Sequence, residues 1–204
     1  MKDLSVIVPV HNTEKWLPDL LKSLKEQETT YDVQYIFIFD SCNDNSKWVV
    51  EQSDISDILF SCEYGSCGLA RNKGIELAQG KYIWFMDSDD YLTSNTAIQE
   101  AMDFIIEKSE KIVRIPFESD KFNNSCYAMV WQYVFEREFI GDTRFRAEQP
   151  AEDNDFMDKI FKKINPTKIE TYYYPLYFYR YLREGSNMFR VKNGEDINKE
   201  NKDD

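Results

Sequence analysis

Residues 82–92 read Y-I-W-F-M-D-S-D-D-Y-L. Tyr82 to Met86 have the apolar, aromatic and β-branched composition of a strand buried on both faces. The run stops abruptly at Asp87, Asp89 and Asp90. A buried strand has no electrostatic reason to end in carboxylates, and side chains this close repel one another unless solvent or a cation neutralises them. Hard oxygen ligands suit Mg²⁺ or Mn²⁺ rather than zinc, and such ions bind through one or two carboxylates plus substrate phosphates. The competing reading is a solvated turn rich in Asp and Ser, because a D-x-D match recurs by chance. The sequence upstream favours the metal.

There, strands alternate with helices. Leu4–Val10 (L-S-V-I-V-P-V) reads as a strand covered on both faces. Thr13 is placed to cap a helix to about Gln27, in which Trp16, Leu17, Leu20, Leu21 and Leu24 recur at helical steps. Val33–Phe39 is a second buried strand ending at Asp40. Asp44 or Ser46 can cap a short helix to about Gln52, and Ile55–Phe60 is a third strand. Gly68–Gln79 is helical with Gly80 placed to stop it, and Lys81–Met86 is the fourth strand. This alternation implies right-handed crossovers and a mainly parallel sheet. Ligands of open α/β sheets bind beyond the carboxyl ends of the strands, near the switch in strand order. His11 and Asn12 follow the first strand, Asp40 the second and Asp87 to Asp90 the fourth, so all reach one rim.

Beyond Leu92 the pattern is less regular. Ser94–Lys108 reads as a helix capped at Ser94 or Asn95, Lys111–Pro116 as a strand and Trp131–Phe139 as a helix. Ala151–Ile164 has helical spacing, and Lys168–Tyr179 is strand-like and rich in Tyr. Glu152, Asp153 and Asp155 fall in the first turn of the 151–164 helix, where acidic residues also favour the helix dipole. From about Lys192 the tail is polar and charged, a composition that predicts disorder.

The 204 residues suit one large domain, and 42% hydrophobic content excludes global disorder. A formal net charge of −12 disfavours non-specific binding to nucleic acid or anionic lipid. No apolar run approaches a membrane span, and Leu4–Val10 lacks the cleavage-site context of a secretory signal. Cys42, Cys62, Cys67 and Cys126 show neither C-x-x-C pairing nor His partners, which argues for reduced thiols in a cytoplasmic protein.

S-V-I-V-P-V-H-N at residues 5–12 resembles the opening strand of the family 2 glycosyltransferases, enzymes of the GT-A fold. F-D-S-C-N-D-N-S at 39–46 is similar to their D-D-G-S-x-D segment, with Phe39 or Ser41 in place of one acidic residue. G-L-A-R-N-K-G-I at 68–75 and A-Q-G-K-Y-I-W-F-M-D-S-D-D at 78–90 match their A-R-N-x-G-I and A-x-G-x-Y-I-x-F-L-D-x-D-D block. A-E-D-N-D-F at 151–156 looks like their E-D motif, and Y-F-Y-R-Y-L-R-E-G-S at 177–186 a late segment of many members.

The resemblance implies a Rossmann-like, mainly parallel α/β sheet flanked by helices. A nucleotide-sugar-binding half would occupy residues 1–92 and a mixed acceptor-side half 93–190. Asp89 becomes the direct ligand of Mn²⁺ or Mg²⁺, with Asp87 sharing the ion or contacting the ribose. Pro9, His11, Asn12, Asp40, Arg71, Asp87, Ser88 and Arg183 are placed about the nucleotide-sugar. Within that set Asp40 faces the base, and Arg71 the nucleotide or the acidic cluster. Arg183, with Arg180, reaches for the diphosphate from a C-terminal loop. Arg71 also falls in the first half of a helix, where a cation does not help the dipole and wants another partner. His11 stands where the family commonly has Tyr, and is expected to pack or to contact backbone beside the nucleotide. Similar enzymes invert the anomeric centre, which requires a carboxylate to take the acceptor's proton. Asp153 is the expected base and Glu152 the alternative. Trp131 is expected in the core, with a sugar-stacking role as the alternative.

The expected activity is transfer of a sugar from a nucleoside diphosphate to a hydroxyl of a glycan or lipid-linked acceptor, in bacterial surface polysaccharide assembly. A lipid-linked acceptor would require peripheral association with the membrane. One rival is a nucleotidyltransferase, although H-N-T-E at residues 11–14 offers no Gly-rich phosphate loop. The other is a non-catalytic nucleotide-sugar binder of the same fold.

Overall fold

A computed structural model describes residues 2–120, 129–148, 151–181, 184 and 193–194. Its centre is β1 (Leu4–Val10), which runs parallel to β2 (Val33–Asp40) from Leu4↔Val33 to Val10↔Phe39. On its other side β1 runs parallel to β4 (Tyr82–Phe85), from Leu4↔Tyr82 to Ile7↔Phe85. β3 (Ile58–Cys62) extends the sheet beyond β2, also in parallel. Beyond β4 lie β8 (Tyr133–Glu136) and β6 (Ile112–Arg114), with β8 antiparallel to both neighbours, giving the order β3-β2-β1-β4-β8-β6. A small second sheet, β5-β9-β7, joins β5 (Tyr91–Leu92), β9 (Tyr177–Tyr179) and β7 (Phe117–Ser119).

The apolar run of β1 is explained by helices on both faces. Leu4, Val6, Val8 and Val10 pack with α1 (Leu17–Lys25) and α4 (Ala97–Lys108). Ile7 points the other way, to α3 (Cys67–Leu77) and α6 (Glu152–Phe161). A short α2 (Ser46–Glu51) adds Val50 to the first face, and a one-turn α5 (Arg137–Ile140) follows β8. Among the described residues no helix is long and apolar enough to cross a membrane.

One proline opens the rim. Ile7 C=O accepts the N–H of Met86 at 3.0 Å. The next rung of a parallel ladder would need an N–H on residue 9, and Pro9 has none. The chain leaves the sheet there, and Asp87 turns over its edge.

The segment 131–139, read from sequence as a helix, is instead a 3-10 turn (Val130–Gln132), then β8 and the single turn of α5. Tyr133, Val134 and Phe135 are buried between β4 and β6, so cross-strand pairing overrides the local pattern. The Tyr-rich 168–179 strand contracts to β9 and an isolated bridge between Thr171 and Arg114. The third strand begins and ends later than expected, at Ile58 and Cys62.

Cap assignments also shift. α1 starts at Leu17 because Pro18 sits in its first turn, and Thr13 closes the preceding turn through its carbonyl. Asn45 occupies the α2 cap position, with Asp44 Oδ1 accepting from Ser46 N–H, and Thr96 occupies that of α4. Gly80 is required by close approach rather than as a helix stop. α3 has already ended, and a Cβ at Gly80 would lie 2.4 Å from Ser5 N. The tail from Lys192 lies outside the described residues apart from 193–194.

Candidate active site at the carboxyl rim of the sheet

Arg71 is the centre of the site. α3 carries it beneath the rim with 3% of its surface exposed. Its Nη2 donates to Asp87 Oδ1 at 2.8 Å, and its Nη1 to Glu152 Oε1 at 2.9 Å and Asp153 Oδ1 at 2.7 Å. One guanidinium therefore ties the loop after β4 to the first turn of α6. Burial opposes its charge, but the facing carboxylates, Asp153 first, hold its pKa well above the ordinary value. Its Nε is buried without a hydrogen-bond partner among the described residues. The position of α3 depends on a glycine: a Cβ at Gly74 would lie 2.2 Å from Ile7 Cγ2.

Asp153 is the chemically tuned member of this group. Its Oδ2 accepts the N–H of Val130 at 3.2 Å. Burial, with help from Glu152 and Asp87 and against the pull of Arg71, pushes its pKa up to about 7. A carboxylate with that value exchanges protons readily at neutral pH.

The acidic loop divides into inward and outward parts. Asp90 is fully buried; its Oδ2 accepts from Tyr177 Oη at 2.8 Å and its Oδ1 from Arg180 N–H at 2.8 Å. Tyr177 Oη in turn accepts the N–H of Asp87 at 3.0 Å. Burial, reinforced by Asp89 and Asp87, raises the Asp90 pKa well above the usual carboxylate range. Asp87 and Asp89 are half-buried, and oxygens of the three carboxylates lie within 4.8 Å of one another. This fits a hard divalent cation: the donors are oxygen alone, and their charge exceeds what Arg71 balances. Asp87 and Asp89 are the pair able to hold it. Ser88 is turned inward, accepting from Thr13 Oγ1 at 3.0 Å, so any ligand contact at Ser88 would come from its backbone.

His11, Asn12 and Asp40 stand at the same rim. His11 is exposed, with Nδ1 2.8 Å from the carbonyl oxygen of Asp40. A carbonyl only accepts, so Nδ1 carries the proton and Nε2 faces Asn12 Nδ2 at 3.4 Å. His11 thus bonds the backbone of β2 at the rim. Asn12 Oδ1 accepts from Asn43 N–H at 2.9 Å.

Asp40 was expected to face a nucleotide base, but its carboxylate is filled by internal donors. Oδ1 accepts from the N–H groups of Tyr64 and Gly65 at 2.6 and 2.9 Å and from Ser41 Oγ at 3.0 Å; Oδ2 accepts from Ser66 N–H at 2.7 Å. Ser66 then caps α3, accepting from Leu69 N–H at 3.3 Å. Asp40 thus fixes the start of the helix that carries Arg71.

Trp131 is 2% exposed and stacks on Tyr177 at 4.6 Å, a core position. Arg180 folds back onto Asp19 of α1, whereas Arg183 lies outside the described residues. The sequence reading missed Tyr177, whose hydroxyl organises the acidic loop. The only signal was its place at the head of the 177–186 segment, which does not say that the hydroxyl faces the acidic loop.

The profile described as Glycosyl transferase family 2 matches residues 5–167. TarS of Staphylococcus aureus (strain Mu50), a poly(ribitol-phosphate) beta-N-acetylglucosaminyltransferase, is 31% identical over 120 residues, 56% of this chain and 21% of TarS. Glycosyltransferase GlyG of Streptococcus pneumoniae is 25% identical over 222 residues, covering 91% of this chain and 72% of GlyG. The crystal structure of S. aureus TarS 1-349 in complex with UDP-GlcNAc superposes with a TM-score of 0.80 at 23% identity, over 92% of this chain and 60% of that one. The mannosyltransferase PcManGT of Pyrobaculum calidifontis, in complex with GDP-Man and Mn²⁺, gives 0.69 at 15% identity, over 95% and 63%. These likenesses show the GT-A fold, and the chain matches only part of TarS, about a fifth of its length in sequence. With the profile running from β1 to beyond α6, the chain belongs to glycosyl transferase family 2.

Proposed function

We propose that this chain transfers a sugar from a nucleoside diphosphate to a hydroxyl of a cell-surface polysaccharide or its lipid-linked precursor, inverting the anomeric centre. The observation that carries the reading is the Arg71 bridge, which sets an acidic loop with the oxygens a cation would need and a carboxylate of pKa about 7 side by side. Membership of the family and the relatives' names support it. TarS binds UDP-GlcNAc and PcManGT binds GDP-Man with Mn²⁺, so a nucleotide-sugar donor is the natural extension to this chain.

Asp87 and Asp89 would hold Mn²⁺ or Mg²⁺, which when bound neutralises charge on a diphosphate leaving group. Asp153 accepts the proton of the acceptor hydroxyl. The hydroxyl oxygen bonds to the anomeric carbon as the bond from that carbon to the phosphate oxygen breaks, and the electron pair leaves with the diphosphate. Glu152 shares Arg71 with Asp153 and disfavours early ionisation of its neighbour. We read residues 1–190 as one catalytic domain acting in the cytoplasm, where nucleotide-sugars are made. A lipid-linked acceptor would be met at the inner face of the membrane. A non-catalytic binder would have no use for a carboxylate poised near neutrality beside the donor site.

The test is thermal stability with UDP-, GDP- and ADP-sugars, each with and without Mn²⁺. Binding at one hundred times Kd adds about 2.7 kcal/mol to stability. Stabilisation by one nucleotide class, only with metal, is the expected result. Silence across the whole panel would overturn the reading.

A further inference from the structure

Each residue of the acidic loop has its own hold. Asp87 is gripped by Arg71 and by Tyr177, Ser88 by Thr13, and Asp90 by Tyr177. The carbonyl of Asp89 is held by Arg180, whose Nη1 donates to it at 3.2 Å. The same guanidinium pairs through Nη2 with Asp19 and lies 5.4 and 5.1 Å from the ring centres of Trp16 and Tyr91. Tyr91 is itself stacked on Phe178 at 4.6 Å. The backbone N–H of Arg180 meanwhile donates to Asp90.

An arginine recruited for phosphate presents its fork to the ligand. Here the fork is spent on Asp19 and a backbone carbonyl, and aromatic rings hold the guanidinium in place. The side chain is 18% exposed, and it joins α1, β5 and the end of β9 across the loop. We infer that Arg180 is a positioning residue: it fixes the backbone of Asp89 to α1 and so sets how that carboxylate faces Asp87. Metal ligands need this kind of outer support, and its loss typically weakens metal affinity by about 10–100-fold. The inference rests on the cation reading proposed above.

Mn²⁺ titration followed by electron paramagnetic resonance, on the full chain, tests it. Arg180→Ala should raise the Mn²⁺ dissociation constant about tenfold, the low end of that range. Arg180→Lys should recover only part of the loss, because an ammonium cannot fork to Asp19 and the carbonyl together. Wild-type Mn²⁺ affinity in Arg180→Ala, even with a lowered melting temperature, would reduce Arg180 to packing and overturn the inference. Should that variant fail to fold, Asp19→Asn loosens the same latch from a residue that is 59% exposed. It should weaken Mn²⁺ binding by about two- to fivefold, the range of an exposed ion pair, and unchanged affinity overturns the inference too. A wild-type chain that binds no Mn²⁺ would sink the cation reading itself, an outcome distinct from equal binding by variant and parent.

Discussion

Arg71 Nη1 and Asp153 Oδ1 lie 2.7 Å apart, and this ion pair fixes a catalytic candidate to the helix whose start Asp40 determines. Two effects meet on Asp153. Burial raises its pKa and Arg71 lowers it, and the balance falls at about 7. The acidic loop after β4 and the first turn of α6 are thus coupled electrostatically as well as mechanically.

The pH profile of transfer should carry that balance. Asp153 works as a base only when ionised, so kcat/KM should rise with pH and level off above about 7. Stability should run in the opposite sense. Asp153 binds its proton more tightly folded than unfolded, so its contribution is fully present below the unfolded value, about 3.9, and is lost as pH rises through about 7. Asp153→Asn should bind donor normally and lose transfer by about 10²–10⁴-fold. Normal turnover by that variant removes Asp153 from the base role and turns attention to Glu152.

Replacing Arg71 should reveal the other half of the balance. Arg71→Met leaves the carboxylates of Asp87, Glu152 and Asp153 without their shared cation. Removing one partner of a buried ionic group costs about 3–5 kcal/mol, measurable by urea denaturation. In whatever activity survives, the acidic limb should move to higher pH, since Arg71 holds the Asp153 pKa down. An unmoved limb would mean that the titrating group is not Asp153.

How far the sequence disclosed this site depends on the distance over which each interaction acts. β1, β2 and β4 were legible because both faces of each are apolar and the signal is local. Asp87 to Asp90 were legible because charge interrupts that signal at one point. β8 was not, since Y-V-F-E becomes a strand only through its pairing with β4 and β6. The partners of Tyr177 and Asp40 were not legible for the same reason. Those partners, Asp90 and residues 64–66, are distant in sequence, and a short polar motif does not say which of its atoms face inward.

The inward and outward carboxylates of the acidic loop should separate by experiment. Asp89→Ala should abolish Mn²⁺-dependent stabilisation by nucleotide. Asp90→Ala takes the acceptor from the hydroxyl proton of Tyr177, which is buried, and from the N–H of Arg180, which is half-buried. That costs about 1–3 kcal/mol per group in the metal-free protein. Calorimetry of both variants with and without Mn²⁺ reads the difference. Loss of metal response in neither variant, or in Asp90→Ala alone, would contradict the division drawn here.

Asp40 offers the sharpest contrast between a ligand contact and an internal anchor. Its carboxylate accepts three backbone N–H groups, and Asn can replace only one oxygen of the two while setting an NH₂ donor against a donor. Hydrogen bonds to a charged acceptor are worth about 1.5–3 kcal/mol, so Asp40→Asn should lower stability by that order before any nucleotide is added. Because the 64–66 turn leads into α3, the variant should also weaken all nucleotides together, with no change in their ranking. A variant as stable as the parent but altered in base preference would show that the carboxylate reads the base directly, as the family resemblance implies.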